Sequence, residues 1–129
     1  CELVICFKQR VKANQVDKMT IIGDVEGKDI VLIDDIIDTA GTVCKAADLM
    51  LEKGAKSVRA LATHAVFSGN ALERIHKSKL LEVLVTDTIP VQETEKIRIL
   101  SAAPLFADVI DRVHRYKSIS SHFDFTTIL

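Results

Sequence analysis

The stretch Val31-Leu32-Ile33-Asp34-Asp35-Ile36-Ile37-Asp38-Thr39-Ala40-Gly41-Thr42 restricts what this chain can fold into more than any other feature. Ile30 to Ile33 is an apolar run without polar alternation, which predicts a central strand covered on both faces of a sheet. It ends on two adjacent carboxylates and then turns through small and hydroxyl-bearing residues. Behind the turn Val43, Ala46, Ala47, Met50 and Leu51 recur at helical spacing, and Gly54 stands where a helix terminator belongs. A strand feeding a helix through a tight turn opens a β-α-β unit. A carboxylate-tipped strand in such a unit puts Asp34 and Asp35 at the carboxyl edge of the sheet, where open α/β sheets bind ligands.

The rest of the chain repeats the alternation. Residues 2–7 read as a strand end. Met19–Ile22 reads as a strand joined to Ile30–Ile33 through Val25-Glu26-Gly27-Lys28, a turn with Gly where positive φ is easiest. Ser57–Thr63, Glu82–Thr86 and Ile97–Leu100 read as further strands, and Asn70–Lys77 as a short helix with Ser68-Gly69-Asn70 as its cap. Leu105–Arg115, with Pro104 at its start, reads as an amphipathic helix on Leu105, Phe106, Val109, Ile110 and Val113, its dipole complemented by His114 and Arg115. The predicted class is α/β, a mostly parallel sheet flanked by helices with right-handed crossovers. Fourteen isoleucines and thirteen valines without a Trp make the core aliphatic and strand-rich.

Composition removes several function classes. The formal net charge is −1, which excludes a basic protein that coats nucleic acid. No apolar run approaches the ~18 residues of a membrane helix. Cys1, Cys6 and Cys44 form no CxxC pair and no His lies at ligand spacing, which argues against a disulfide framework or a structural zinc site. Cys44 is expected in the core. His64, at a strand end near the crevice, is read first as a structural hydrogen-bonding residue. With neither a signal peptide nor a lipidation pattern, a cytoplasmic setting is the expectation. The stretch 8–18, KQRVKANQVDK, has neither period and is expected to be a mobile loop. Residues 1–18 set Lys8, Arg10, Lys12 and Lys18 against Glu2 and Asp17, a local excess of two positive charges suited to an anion.

The chemistry of residues 34–42 follows from their types. Asp38-Thr39-Ala40-Gly41-Thr42 leads into a helix whose free N–H groups point back at the crevice. Small residues let a phosphate approach the backbone, two hydroxyls can donate to it, and the helix dipole favours its charge. Carboxylates repel that phosphate but suit sugar hydroxyls or a hydrated metal. The ligand therefore carries hydroxyls at one end and phosphate at the other, which describes a ribose phosphate. A bare DD or a DTxGT turn is found in many folds as an Asp-capped turn; the whole run in a strand–loop–helix setting is far more specific.

VLIDDIIDTAGT resembles the phosphoribosyl-diphosphate signature of the type I phosphoribosyltransferase fold, in the form carried by the ribose-phosphate diphosphokinases (PRPP synthetases). The KxR…N…GDVEGK lead-in, THAVFSGNALERI, VTDTIP and SAAPLFADVIDRVH follow that family in order, over residues 2 to about 123. The resemblance implies transfer of diphosphate from magnesium-bound ATP to ribose 5-phosphate, giving PRPP and AMP. It implies Asp34 and Asp35 on the ribose hydroxyls and on a magnesium ion, and Asp38, Thr39, Ala40, Gly41 and Thr42 as the 5′-phosphate loop. Lys8 and Arg10 match the cationic pair of a flexible catalytic loop that closes on the ATP phosphates, although Gln9 stands where the family often has another Arg. Ser118, Ser120 and Phe123 match tail residues of an allosteric site for ADP or phosphate between subunits of a hexamer, and the bland alternative for them is an exposed tail.

The family is built of two similar halves, and this chain matches the final two-fifths. Residues 1–123 are thus expected to be a C-terminal phosphoribosyltransferase-like domain shortened on its N-terminal side, with 124–129 as a tail and the N-terminal domain outside this chain. The isolated chain is accordingly expected not to bind ATP normally or to be active alone. Two alternatives stand beside this one: a non-catalytic regulatory subunit resembling the family, and, more weakly supported, a transferase that consumes PRPP.

Overall fold

The structure, a computed structural model, describes residues 2–9 and 18–123. Strands β1 (Ile5–Gln9) and β2 (Lys18–Ile22) pair antiparallel, with Ile5 opposite Ile22 and Lys8 opposite Met19. Then follow β3 (Asp29–Ile37), α1 (Gly41–Glu52), β4 (Ser57–Ala65), α2 (Ala71–Lys77), β5 (Glu82–Thr86), β6 (Ile97–Leu100), α3 (Ala103–His114) and a 3-10 turn, Ser120–Phe123. The last four strands form one parallel sheet in the order β3-β4-β5-β6. The α/β class and the parallel sheet are as the sequence predicts, and β5 and β6 carry the expected limits.

One face of this sheet is the core. Val58, Ala60 and Ala62 of β4, Val83 and Val85 of β5, and Ile97 of β6 are buried, at alternate positions of their strands. Against them pack α1, through Ala47 and Met50, and α2, through Ala71 and Ile75. Side chains as fully buried as Met50, Ile75, Leu80 and Ile97 each contribute about 1.5–3 kcal/mol. The α1 helix ends where its sequence asks. The Gly54 N–H donates to the Leu51 carbonyl (3.0 Å) and the Ala55 N–H to that of Met50 (3.0 Å), with Gly54 at φ 89°. That reversal needs a left-handed residue, and glycine takes it without steric cost.

Three expectations change. Ile30–Ile33 is not a central strand covered on both faces: β3 lies at the edge of the described sheet, with Val31 54% and Ile33 77% exposed. Apolar residues on successive positions give a strand two faces that can be buried, but α1 and the β1–β2 hairpin lie over only one of them. The stretch 8–18 is not a loop throughout, because Lys8, Gln9 and Lys18 extend the hairpin strands; Arg10 and the rest of 10–17 lie outside the described residues. Met19–Ile22 belongs to that hairpin rather than to the parallel sheet.

The α3 helix forms with Pro104 in its first turn, but none of its residues is buried, and Leu105, Phe106, Ile110 and Val113 face outward. It is tethered through Asp87, whose carboxylate accepts from the Ala102 N–H (2.8 Å) and the Ser101 hydroxyl (2.6 Å). His114 stands in its last turn and Arg115 at its C-cap, as the dipole favours.

Candidate functional site

At the carboxyl end of β3 the chain reverses through Asp38 and Thr39 and enters α1 by way of Ala40. Ala40 adopts a left-handed conformation (φ 58°, ψ 4°) while only 4% exposed. For a residue with a Cβ this costs about 1–2 kcal/mol, so the surroundings must hold it. No side chain caps the helix that follows. Its first N–H groups, which lack intrahelical partners, therefore stand available at the positive end of the dipole. This end borders a cleft of about 320 Å³ lined by Asp34, Ile36, Ile37, Asp38, Thr39, Ala40, Gly41, Thr42 and Val43.

The cleft gathers six of the residues singled out in the sequence: Asp34, Asp38, Thr39, Ala40, Gly41 and Thr42. Asp35 is not among the lining residues; its N–H donates to Asp34 Oδ1 (2.9 Å), and its carboxyl lies beside that of Asp34. Partial burial pushes the Asp34 carboxyl above the usual carboxylate range, and the neighbouring Asp35 carboxyl adds to this against the opposing effect of that N–H. Among the described residues no group of three or more His, Cys, Asp or Glu gathers to hold a metal. The oxygen donors on offer are the Asp34–Asp35 pair.

A second cavity, about 230 Å³, separates the hairpin from the sheet and shares Asp34 and Thr42 with the cleft, while Cys6 and Met19 close its other side. The hairpin thus lies beside the cleft, with Lys8 two residues beyond Cys6 on the same strand. Arg10 lies outside the described residues.

The turn is braced by a segment that the sequence did not mark as part of the site. The Ile37 carbonyl accepts from the Val66 and Phe67 N–H groups (3.1 and 3.2 Å), and the Asp38 carbonyl accepts from that of Ser68 (3.2 Å). The Ser68 hydroxyl donates to the Asp38 carboxylate. Arg74 of α2 donates through Nη1 to the Thr39 carbonyl (2.5 Å). Ser68 thus grips the loop, while Asn70 is the N-cap of α2 and makes no side-chain cap bond. Nothing local marks Ser68 or Arg74, because each acts on residues some 30 positions away.

Other expected residues lie elsewhere. His64 hydrogen-bonds through Nδ1 to the Thr88 hydroxyl (2.9 Å), a structural arrangement. Cys44 is buried beneath α2, and burial pushes its thiol up. In the tail the Ser118 hydroxyl donates to that of Ser120 (2.8 Å), Arg112 donates to the Ser118 carbonyl (3.2 Å), and Phe123 is exposed. None of these three tail residues lines the cleft.

Known proteins are similar to this chain over most of its length. The family model of the phosphoribosyl synthetase-associated domain matches residues 6–124. The ribose-phosphate pyrophosphokinase of Helicobacter hepaticus is 58% identical over 123 residues, which is 95% of this chain and 40% of that protein. The enzyme of the same name from Wolinella succinogenes is 56% identical over the same share of each. The crystal structure of phosphoribosylpyrophosphate synthetase from Mycobacterium smegmatis superposes with a TM-score of 0.73 at 38% identity, covering 86% of this chain and 37% of that one. The chain thus spans about 40% of the length of the curated relatives it matches. A parallel sheet, a carboxylate-tipped strand and an uncapped helix behind a strained turn, matched nearly end to end, place the chain in the phosphoribosyl synthetase-associated domain family, with the ribose-phosphate pyrophosphokinases as its relatives.

Proposed function

We propose that this chain supplies the ribose 5-phosphate site of a ribose-phosphate diphosphokinase, which moves the diphosphoryl group of ATP to the anomeric hydroxyl of ribose 5-phosphate and releases AMP. One observation carries the reading: the N-terminus of α1, without a capping side chain, borders a cleft that has Asp34 among its walls. Free N–H groups and the Thr39 and Thr42 hydroxyls take the 5′-phosphate. Carboxylates accept hydrogen bonds and never donate them when ionised, so Asp34, with Asp35 at the rim, takes the sugar hydroxyls. The two ends of the cleft thus orient the sugar for attack by its anomeric oxygen.

The transfer needs positioning and charge neutralisation more than a strong base. Lys8, at the end of a hairpin that borders the cleft, and Arg10 beyond it are the cations assigned to the ATP phosphates. Magnesium fits the Asp34–Asp35 pair as a hard ion that takes one or two carboxylates and completes its shell with phosphate oxygens and water. A cation there favours the ionised Asp34 that burial opposes. When bound, magnesium supplies neutralisation of the polyphosphate charge.

Residues 1–123 form, in this reading, the phosphoribosyltransferase-like part of a longer protein that contributes the remaining ATP contacts. A cytoplasmic homo-hexamer, and an effector site for ADP or phosphate at Ser118, Ser120 and Phe123, belong to the same proposal. The described residues include no helix long and apolar enough to cross a membrane.

Full-length protein given ATP, magnesium and ribose 5-phosphate should form AMP and PRPP in equal amounts. Absence of AMP release, together with binding to an active homologue, would establish the non-catalytic subunit instead. Lys8→Ala should lower turnover far more than ribose 5-phosphate affinity, and an equal loss of both would remove Lys8 from the transition state.

A further inference from the structure

We infer that Arg74 is a positioning residue of the phosphate loop, which holds the Thr39–Gly41 turn in its ligand-ready form without touching the ligand. The inference rests on the reading of that loop as a phosphate site. Residues 34–43 carry Asp34, Asp35 and Asp38 and not a single cation. A phosphate entering this cleft meets negative charge, against which the helix end sets only about half a positive charge. Among the described residues, Arg74 is the cation whose bond reaches the loop itself.

Its placement is specific. Nη1 donates to the Thr39 carbonyl at 2.5 Å and lies 3.4 Å from the point where a Cβ on Gly41 would stand. The guanidinium therefore spans the two residues that flank Ala40, the strained one. Arg74 does not line the phosphate cleft. It lines a separate groove of about 390 Å³ between α1 and α2 and so approaches the turn from behind.

The backbone of Arg74 is anchored independently of the loop. Its N–H donates to the Asn70 carbonyl (3.0 Å), and its α2 neighbours Ala71 and Ile75 are fully buried. The adjacent Glu73 is engaged by Lys77 at 2.5 Å. Three consecutive carbonyls, those of Ile37, Asp38 and Thr39, are thus bonded by one segment, 66–74. The last of these bonds is the charged one, and it lies next to the left-handed residue. Charge-assisted hydrogen bonds are roughly twice as strong as neutral ones. A carbonyl pinned at Thr39 fixes the peptide plane that enters Ala40.

Two measurements on Arg74→Met and Arg74→Lys separate this inference from the reading beneath it. The first needs no ligand. Amide hydrogen exchange at Cys44, whose N–H bonds to the Ala40 carbonyl (3.1 Å), should speed up about tenfold in Arg74→Met, the effect of one lost charge-assisted bond. The thermal midpoint should fall by no more than about 6 °C, the share of that single bond at roughly 4 °C per kcal/mol, and Arg74→Lys should recover exchange to within about threefold. Unchanged exchange at Cys44, or a fall in the midpoint well beyond that share, overturns the positioning role.

The second is ribose 5-phosphate titration of the full-length protein. Affinity should fall about tenfold in Arg74→Met and recover in Arg74→Lys, while Asp34→Ala, which alters a direct contact, loses binding. If exchange changes but affinity does not, the loop bond is real and Arg74 has no part in the site, which refutes the inference. If Asp34→Ala and Thr42→Ala both leave affinity unchanged, the phosphate-site reading fails by itself, whatever Arg74 does to exchange.

Discussion

Gly41 separates what the fold requires from what a ligand requires. It is the first residue of α1, and its φ is not among the left-handed ones that glycine alone takes easily. A Cβ added there would meet Arg74 Nη1 at 3.4 Å and Thr39 Oγ1 at 3.7 Å, ordinary van der Waals contacts. Gly41→Ala should therefore leave the unliganded protein equally stable, or more stable by about 0.5–1 kcal/mol through helix propensity and a stiffer unfolded chain. Ligand binding should suffer instead. The new methyl stands 3.7 Å from the Thr39 hydroxyl assigned to the phosphate, and loss of one bond to a charged group costs about 1.5–3 kcal/mol, ten- to a hundredfold in affinity.

Linkage turns this into an observable. Ribose 5-phosphate at a hundred times the wild-type Kd should stabilise wild type by about 2.7 kcal/mol, and the variant by only about 0.4–1.4 kcal/mol. At roughly 4 °C per kcal/mol for a chain of this size, thermal shifts with and without ligand resolve the difference. An identical ligand-induced shift in both proteins would refute the claim that glycine is there for phosphate approach. A loss above about 1 kcal/mol without ligand would show that the turn itself needs glycine.

Four further outcomes follow from burial and charge. Met50→Ala, at a side chain 1% exposed, should cost about 2–5 kcal/mol in urea unfolding; Ile110→Ala on α3, 66% exposed, should cost under about 0.5 kcal/mol, and comparable losses would contradict the bare apolar face of α3. Ala40→Val, which puts a β-branched side chain at a buried left-handed position, should destabilise by about 2 kcal/mol or more; unchanged stability would mean that the turn has another conformation. Stability should fall below about pH 4. Asp24, Asp29, Asp87 and Asp108 are held below the usual range by Lys28, by the Ser57 hydroxyl, by the Ser101 hydroxyl and by Arg112, respectively. Their contribution is complete above the unfolded value and disappears as pH falls through the folded ones. Asp34 acts in the opposite sense, because its raised value makes ionisation unfavourable to the fold. Asp34→Asn should accordingly be the more stable protein at pH 7 and match wild type near pH 3, where the aspartate is protonated; the same gap at both pH values would remove burial of the charge as its cause.

Much of this was legible in the residue order because it is local. Glu82–Thr86 and Ile97–Leu100 are strands with the limits that their β-branched runs suggest, and α1 ends on Gly54 as its period requires. The cleft residues from Asp38 to Thr42 are neighbours in the chain, so a strand, a turn and a helix suffice to assemble them. Lys8 and Gln9 were misplaced because the hairpin that extends over them is held by backbone pairing, which needs no hydrophobic period.

The sequence by itself determined the class, the order of the elements and the chemistry of the turn, since these depend on contacts between near neighbours. Tertiary structure alone decided that β3 stands at the edge of the described sheet with Val31 and Ile33 exposed, because an apolar residue carries no record of which face finds a partner. It also decided how the turn is held. Ala40 keeps a conformation that local preference disfavours because Val66, Phe67, Ser68 and Arg74, distant in the chain, bond the three carbonyls before it. Such pairings are settled by the packing of α1 and α2 on one sheet face, which no short stretch of sequence encodes.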